Sequence, residues 1–63
     1  SPRRYLESVR VTQAKRLLAR GVSVCECAAR TGFSDQSHFT NRFRALTGLS
    51  PGVYGDIFRN KEA

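Results

Sequence analysis

Apolar residues in the first twenty positions recur with a period near 3.6, which is the period of an α-helix. The residues of this apolar face are Leu6, Val9, Ala14, Leu17 and Leu18, with Tyr5 and Val11 beside them. Most basic residues of the segment fall at other positions. Ser1-Pro2 provides an N-cap and a proline at the first helical position, and Gly21 provides a stop. The pattern predicts a long helix over about residues 2–20.

A second helix begins with a capping motif. Ser23 and Glu26 have the spacing of a capping box, in which the serine oxygen and the glutamate carboxylate each accept a hydrogen bond from a backbone N–H. Gly32 provides the stop. These signals predict a short helix over about 24–31.

A third and a fourth helix follow. Ser34 or Asp35 can cap a helix over about 35–47, which ends at Gly48. The pair Ser50-Pro51 repeats the opening signal, predicts a short helix over about 51–58 and leaves a tail that we expect to fray. The sequence therefore predicts an all-α bundle of about four helices, in a single domain that spans residues 1–63.

The third helix has two different faces. Phe39, Phe43 and Leu46 are spaced i, i+4, i+7 and predict one buried stripe. At about 100° per residue, the positions roughly opposite are Ser37, Thr40, Asn41 and Arg44. A merely solvated face usually favours Glu and Lys, whereas these short or planar polar groups suit base edges and phosphates.

The second and third helices have the proportions of a helix-turn-helix, in which the first helix braces the second against a DNA duplex. Ala28 is small enough to let the two helices approach closely. Gly32 can adopt the positive φ of the turn, and Phe33 can anchor the turn to the core. Helical hairpins of other kinds also use small residues and glycine at such positions.

The charge balance favours an anionic partner. The chain has 63 residues, with 11 Lys and Arg against 5 Asp and Glu, a net charge of +6 and a pI near 10.4. Nucleic acid and an acidic membrane surface both fit this balance. No apolar run reaches the roughly 18 to 20 residues that span a bilayer, so we expect a cytoplasmic protein without a membrane partner.

The sequence offers little support for metal binding or catalysis. Cys25 and Cys27 diverge by about 200° on a helix, so they cannot form a disulfide with each other, and we expect Cys27 to be buried. His38 is the only histidine, which leaves too few ligands for a metal site. The segment that contains His38 and its serine neighbours has no glycine-rich oxyanion turn, so we expect no hydrolytic role. We expect instead a partly buried histidine against the first or second helix. We expect that the protein is not an enzyme and that it needs no cofactor.

Two stretches resemble a known family. "RYLESVRVTQAKRLLARG" and "SVCECAARTGFSDQSHFTNRFRALTGLSPGVY" together resemble the second half of the DNA-binding region of the AraC/XylS transcription regulators. The resemblance covers about residues 2–58 and implies the joining helix and the second of two helix-turn-helix units. The first unit, and any effector-sensing or dimerisation domain of a full-length parent, would lie outside this sequence. The implied function is sequence-specific binding of double-stranded DNA in the major groove, as part of a bacterial transcription regulator.

The resemblance and the face geometry together suggest individual roles. The residues expected at base edges are Gln36, Ser37, Thr40 and Asn41. The residues expected at phosphates are Arg44, Arg42, Ser23, Arg10 and Arg16. Arg42 flanks the core and could instead pair with an acid such as Glu26, while an ordinary solvated face would also explain Arg10 and Arg16.

Two other functions are compatible with a basic helical domain. A protein-interaction module would use its helical faces to contact RNA polymerase or a partner domain, a role that family members can combine with DNA binding. A basic bundle could also bind RNA or a membrane surface, but the aromatic positions look interior and form no exposed stacking platform.

Overall fold

A computed structural model describes residues 2–62, and the side chains of residues 2–59. It contains four helices in the order α1 (Pro2–Ala19), α2 (Val24–Arg30), α3 (Gln36–Thr47) and α4 (Pro51–Glu62). The described residues form no strand, so the all-α class is confirmed. No helix in this part of the chain has both the length and the apolar character needed to cross a membrane. The expected cap at Ser1 lies outside the described residues.

The helices differ slightly from the predicted ranges. α2 ends one residue before the predicted range does, and α3 begins one residue later. α4 continues to Glu62 instead of stopping near residue 58. Residues 59–62 contain arginine, lysine and glutamate, which favour helix, and they contain no glycine or proline that would end it.

The start of α2 carries half of the predicted capping box. The backbone N–H of Glu26 donates to Ser23 Oγ at 3.2 Å, and Ser23 has the extended backbone of an N-cap. The Glu26 carboxylate forms an ion pair with Arg30, one turn further along α2. The carboxylate therefore supports the exposed face of α2, in place of the reciprocal bond expected from the sequence.

All four helices contribute to one core. Its buried apolar residues are Val11, Ala14, Leu18, Cys27, Ala28, Phe33, Phe39, Phe43 and Pro51. Aromatic rings connect its parts, with centroids 4.3 to 5.7 Å apart in the order Phe33, Phe39, Phe43, Tyr54 and Phe58. The rings thus connect the turn before α3 to α4.

Three large apolar side chains are more exposed than their spacing suggests. Leu46, the last member of the expected stripe on α3, is 48% exposed. On α1, Leu6 is 46% and Tyr5 is 74% exposed. Eighteen residues make α1 about 27 Å long, and the other three helices are shorter, so they leave part of its apolar face uncovered. Periodicity identifies the apolar face of a helix but does not show how far its neighbours cover that face.

The two cysteines lie in different environments. Both are free thiols, with Cys25 exposed and Cys27 buried as expected. Burial raises the pKa of the Cys27 thiol above its ordinary value, since the thiolate would lose its hydration. The thiol lies 3.8 Å from the carbonyl oxygen of Val22 and can donate a weak hydrogen bond to it.

The conformation of Gly32 leads to a stability prediction. Its φ is +86°, and a Cβ added there would lie 3.3 Å from Arg10 Nε. We expect Gly32→Ala to lower the free energy of unfolding by about 1–3 kcal/mol, measured by urea denaturation, because alanine is strained at this φ. Gly52→Ala is the matched control, since Gly52 lies in α4 with open space around the added Cβ. Similar losses in both variants would contradict this account of the turn.

Candidate nucleic-acid interface

The outward face of α3 is determined by the residues on its inner face. Phe39 and Phe43 have no exposed surface and contact each other with ring centroids 5.7 Å apart. With both rings inside, the polar side of α3 projects outward. A shallow concavity on this side is lined by the four residues expected at base edges, Gln36, Ser37, Thr40 and Asn41. Thr40 is half-buried and the other three are exposed.

The first turn of α3 is held by Asp35, the second of the two candidate caps. Asp35 has an extended backbone, and its Oδ1 accepts a hydrogen bond of 2.7 Å from the backbone N–H of His38. This bond satisfies one of the N–H groups that have no partner within the helix. Gln36, the first residue of α3, therefore follows directly after a fixed cap.

The turn between α2 and α3 has the expected construction. Gly32 takes a positive φ, and the next N–H, that of Phe33, donates to the Ala28 carbonyl at 3.2 Å. The Phe33 ring is buried 5.2 Å from the ring of Phe39. Ala28 is also buried, which lets α2 lie close to the core. The turn and α3 thus form one packed unit.

Arg10 of α1 lies over this turn. Its guanidinium carbon is 5.8 Å from the centre of the Phe33 ring, within the range of a cation–π contact. The same side chain closes the space beside Gly32. Arg10 remains partly exposed, so its contact with the turn leaves part of the guanidinium accessible to solvent.

Arg42 is held against α1 by an acid. Its Nε lies 3.1 Å from Glu7 Oε1, so the expected alternative of an acidic partner is realised, although with a different acid from Glu26. The Arg42 Nε is buried and makes no aligned hydrogen bond within the described residues, so the contact is an ion pair without good hydrogen-bond geometry. Glu7 also lies 3.9 Å from His38 Nε2. His38, half-exposed, rests with its ring edge against Phe33 and faces α1, one of the two helices expected to contact it.

The remaining residues expected at phosphates lie in three different places. Arg44 is exposed, forms no ion pair with a described side chain, and follows Thr40 and Asn41 by four and three residues. It therefore shares their helix face. Ser23 is exposed at the start of α2. Arg16 lies about 120° around α1 from Arg10, in a concavity next to Tyr54, so the structure does not bring these two arginines together.

Glu7 was missed by sequence reasoning, although the sequence contains a signal for it. It is the only acid between Pro2 and Ala19. It also shares the helical spacing of the core residues Val11, Ala14 and Leu18, at positions 7, 11, 14 and 18. An acid in line with a buried face needs a cationic partner on the neighbouring helix.

The residues in this region are carboxylates, hydroxyls, amides and guanidinium groups. The described residues contain no group of three or more His, Cys, Asp or Glu side chains that could hold a metal ion. The exposed groups of α3 can donate and accept hydrogen bonds, and Arg44 adds positive charge.

The cap at Asp35 gives a prediction for α3. Asp35→Ala should lower the free energy of unfolding by about 0.5–2 kcal/mol, because the N–H of His38 loses its acceptor. Ser34→Ala is the matched control, since Ser34 is exposed and precedes the observed cap. Chemical denaturation of both variants measures the difference. A larger loss of stability in Ser34→Ala than in Asp35→Ala would show that Ser34, and not Asp35, caps α3.

Comparison with known proteins agrees with this geometry. Residues 1–56 match the family model of a helix-turn-helix domain. An uncharacterized HTH-type transcriptional regulator of Bacillus subtilis (strain 168), YbfI, is 53% identical over 38 residues, which are 60% of this chain and 14% of that protein. The HTH-type transcriptional activator RhaS of Escherichia coli O1:K1 / APEC is 42% identical over 52 residues, 81% of this chain and 19% of that protein.

No solved structure gives a significant match. The chain spans less than a fifth of the length of the two curated relatives described above. The family match covers nearly all of the chain, and the regulators it resembles were those expected from the sequence. The chain therefore belongs to the helix-turn-helix family of the AraC/XylS type.

Proposed function

We propose that the polar face of α3 reads base sequence in the major groove of double-stranded DNA, as part of a bacterial transcription regulator. The observation that carries this proposal is the combination of two buried phenylalanines on one side of α3 with the four polar residues of the concavity on the other. The relatives named as transcriptional regulators support the same function. The proposed role requires no bond-making chemistry.

Base readout would use the first two turns of α3. The amides of Gln36 and Asn41 can each pair bidentately with the N6 and N7 atoms of adenine, and we assign them the main role in specificity. The hydroxyls of Ser37 and Thr40 can donate to or accept from several bases. Residues near the start of a recognition helix are those that contact base edges, which is where these four lie.

Phosphate contacts would supply most of the affinity, independently of sequence. Arg44 is our first assignment, because it is exposed on the reading face and forms no ion pair with a described side chain. Ser23 at the start of α2 and Arg10 over the turn are the next candidates. Arg16 would need a contact on the separate α1–α4 side. If three to five phosphates are neutralised, log K should fall with log salt with a slope of about −3 to −4.5.

The affinity of this chain alone should be modest. A single small unit makes few contacts, so we expect dissociation constants that are micromolar or weaker at physiological salt. Because the chain covers only part of its relatives, we propose that a full-length parent supplies a first helix-turn-helix unit and a sensor domain. Contact with RNA polymerase, and action in the cytoplasm where bacterial DNA lies, belong to the same proposal.

A role in protein interaction is the second candidate. Leu46, Val53 and Ile57 on α3 and α4 are each nearly half exposed, and such residues can contact a partner helix. Amide chemical shifts on adding duplex DNA distinguish the two functions. DNA reading predicts changes over residues 35–44, whereas changes confined to α1 and α4 would favour the interaction role.

Selection of bound sequences from random duplex DNA tests the proposed function. The selection should use both this chain and a longer protein in which the preceding helix-turn-helix unit is restored. Enrichment of a common motif would supply the cognate site for the measurements below. A failure to enrich any motif in either protein would contradict sequence-specific reading.

Asn41 should contribute to specificity. We expect Asn41→Ala to cost about 1–3 kcal/mol of binding on the selected site and much less on random duplex, measured by titration of labelled DNA. Gln13→Ala removes an exposed amide from α1 and is the matched control. Equal losses on both kinds of DNA would remove Asn41 from the readout.

Arg44 should contribute to affinity on any sequence. We expect Arg44→Gln to weaken binding similarly on both DNAs and to flatten the salt slope by about one. Arg59→Gln removes the same charge from α4, where Arg59 pairs with Asp56 at 3.2 Å, and should leave the slope unchanged. If Arg44→Gln also left the slope unchanged, Arg44 would not contact the DNA.

A further inference from the structure

We propose that Glu7 of α1 is a positioning residue for the reading face. Its carboxylate holds Arg42 of α3 against α1 and thereby keeps this guanidinium away from DNA phosphates. The proposal rests on the proposed binding of DNA by α3. It assigns a role in specificity to an acid on a different helix from the reading residues, with its carboxylate directed at the flank of α3.

A single carboxylate faces two residues of α3. Glu7 Oε1 lies 3.1 Å from Arg42 Nε, and Glu7 Oε2 lies 3.9 Å from His38 Nε2. His38 and Arg42 are one helical turn apart, so Glu7 contacts the same flank of α3 at two successive turns. The Glu7 side chain is only 14% exposed, which ties the carboxylate to this position.

A second contact from α1 fixes the start of α3. Arg10 lies one turn after Glu7 and covers the ring of Phe33 and the space beside Gly32. The ring of His38 contacts the same phenylalanine edge-on. α1 thus contacts both the turn and the flank of α3, and these contacts adjust the position of α3 within the orientation that buried Phe39 and Phe43 impose.

The two arginines of α3 consequently have different environments. Arg44 is exposed without an ion-pair partner among the described side chains, whereas the Arg42 side chain is 34% exposed and its Nε is buried beside Glu7. Arg42 lies about 100° around the helix from Asn41, close enough for a released guanidinium to reach a phosphate at the groove edge. A partly exposed ion pair adds little stability, so its main effect is the direction in which Arg42 points.

Loss of the Glu7 contacts should weaken discrimination between DNA sequences. A freed guanidinium would add a phosphate contact that is the same on every sequence. Affinity for random duplex would then rise, while loss of the grip on α3 would misplace the amides and hydroxyls of the reading face. The added phosphate contact strengthens both kinds of binding alike, so the ratio of specific to non-specific affinity falls only because the reading groups are displaced.

The test compares Glu7→Gln, Arg42→Gln and the double variant at constant pH. Binding to random duplex and to the selected site is titrated over a range of salt concentrations, and circular dichroism verifies the helical fold. Glu7→Gln should bind random duplex more tightly, steepen the salt slope by about one, and reduce the preference for the selected site several-fold. The double variant should return the slope to that of the unmodified chain.

The matched control is Asp56→Asn, which also removes one acid and releases one arginine, Arg59, but on α4. It should leave the slope and the preference unchanged. If the salt slope steepened equally in this control, Glu7→Gln would act only through the change in net charge, and the proposal would be overturned.

Arg42→Gln keeps the proposal testable if Glu7→Gln does not fold. Its salt slope should equal that of the unmodified chain, and a slope flattened by about one would show that Arg42 already contacts phosphate, which overturns the proposal. Arg44→Gln distinguishes a failure of the Glu7 role from a failure of DNA binding by α3. If it flattens the slope while Glu7→Gln does not steepen it, DNA binding by α3 stands and the role of Glu7 fails.

Discussion

The burial of Phe39 and Phe43 is the constraint on which the rest of this domain depends. Both rings lie inside a core formed with Val11, Ala14 and Leu18 of α1, so only one side of α3 can face outward. Hydrophobic burial has no directional preference of its own, but rings placed one turn apart on a helix give it a direction. The outward position of the polar groups follows from this packing.

The local signals of the sequence were sufficient for most of the fold. Helix starts at Ser23 and Pro51, and the stop at Gly48, depend on neighbouring residues alone, and the structure has them where the sequence indicates. The exposure of Leu6 and Leu46 could not be derived in the same way. It depends on the length and placement of neighbouring helices, which no local pattern encodes.

The same distinction applies to the candidate site, where features within one helix could be predicted from the sequence and contacts between helices could not. Rotation by about 100° per residue was enough to group Ser37, Thr40 and Asn41 on one face, because residues of a single helix keep their relative directions. The partner of Arg42 required the position of another helix. Glu26, the acid considered first, lies within one turn of Arg30 and pairs with it locally, which leaves Glu7 as the acid that α1 presents to α3.

The connected rings have a consequence for the behaviour of the whole domain. Phe33, Phe43 and Tyr54 belong to one series of contacts that runs from the turn to α4. Separating α4 would uncover Phe43 and so remove support from α3, the helix that carries the candidate base-reading residues. We therefore expect this small bundle to melt cooperatively, because α4, although distant in sequence from the turn, supports the packing of α3.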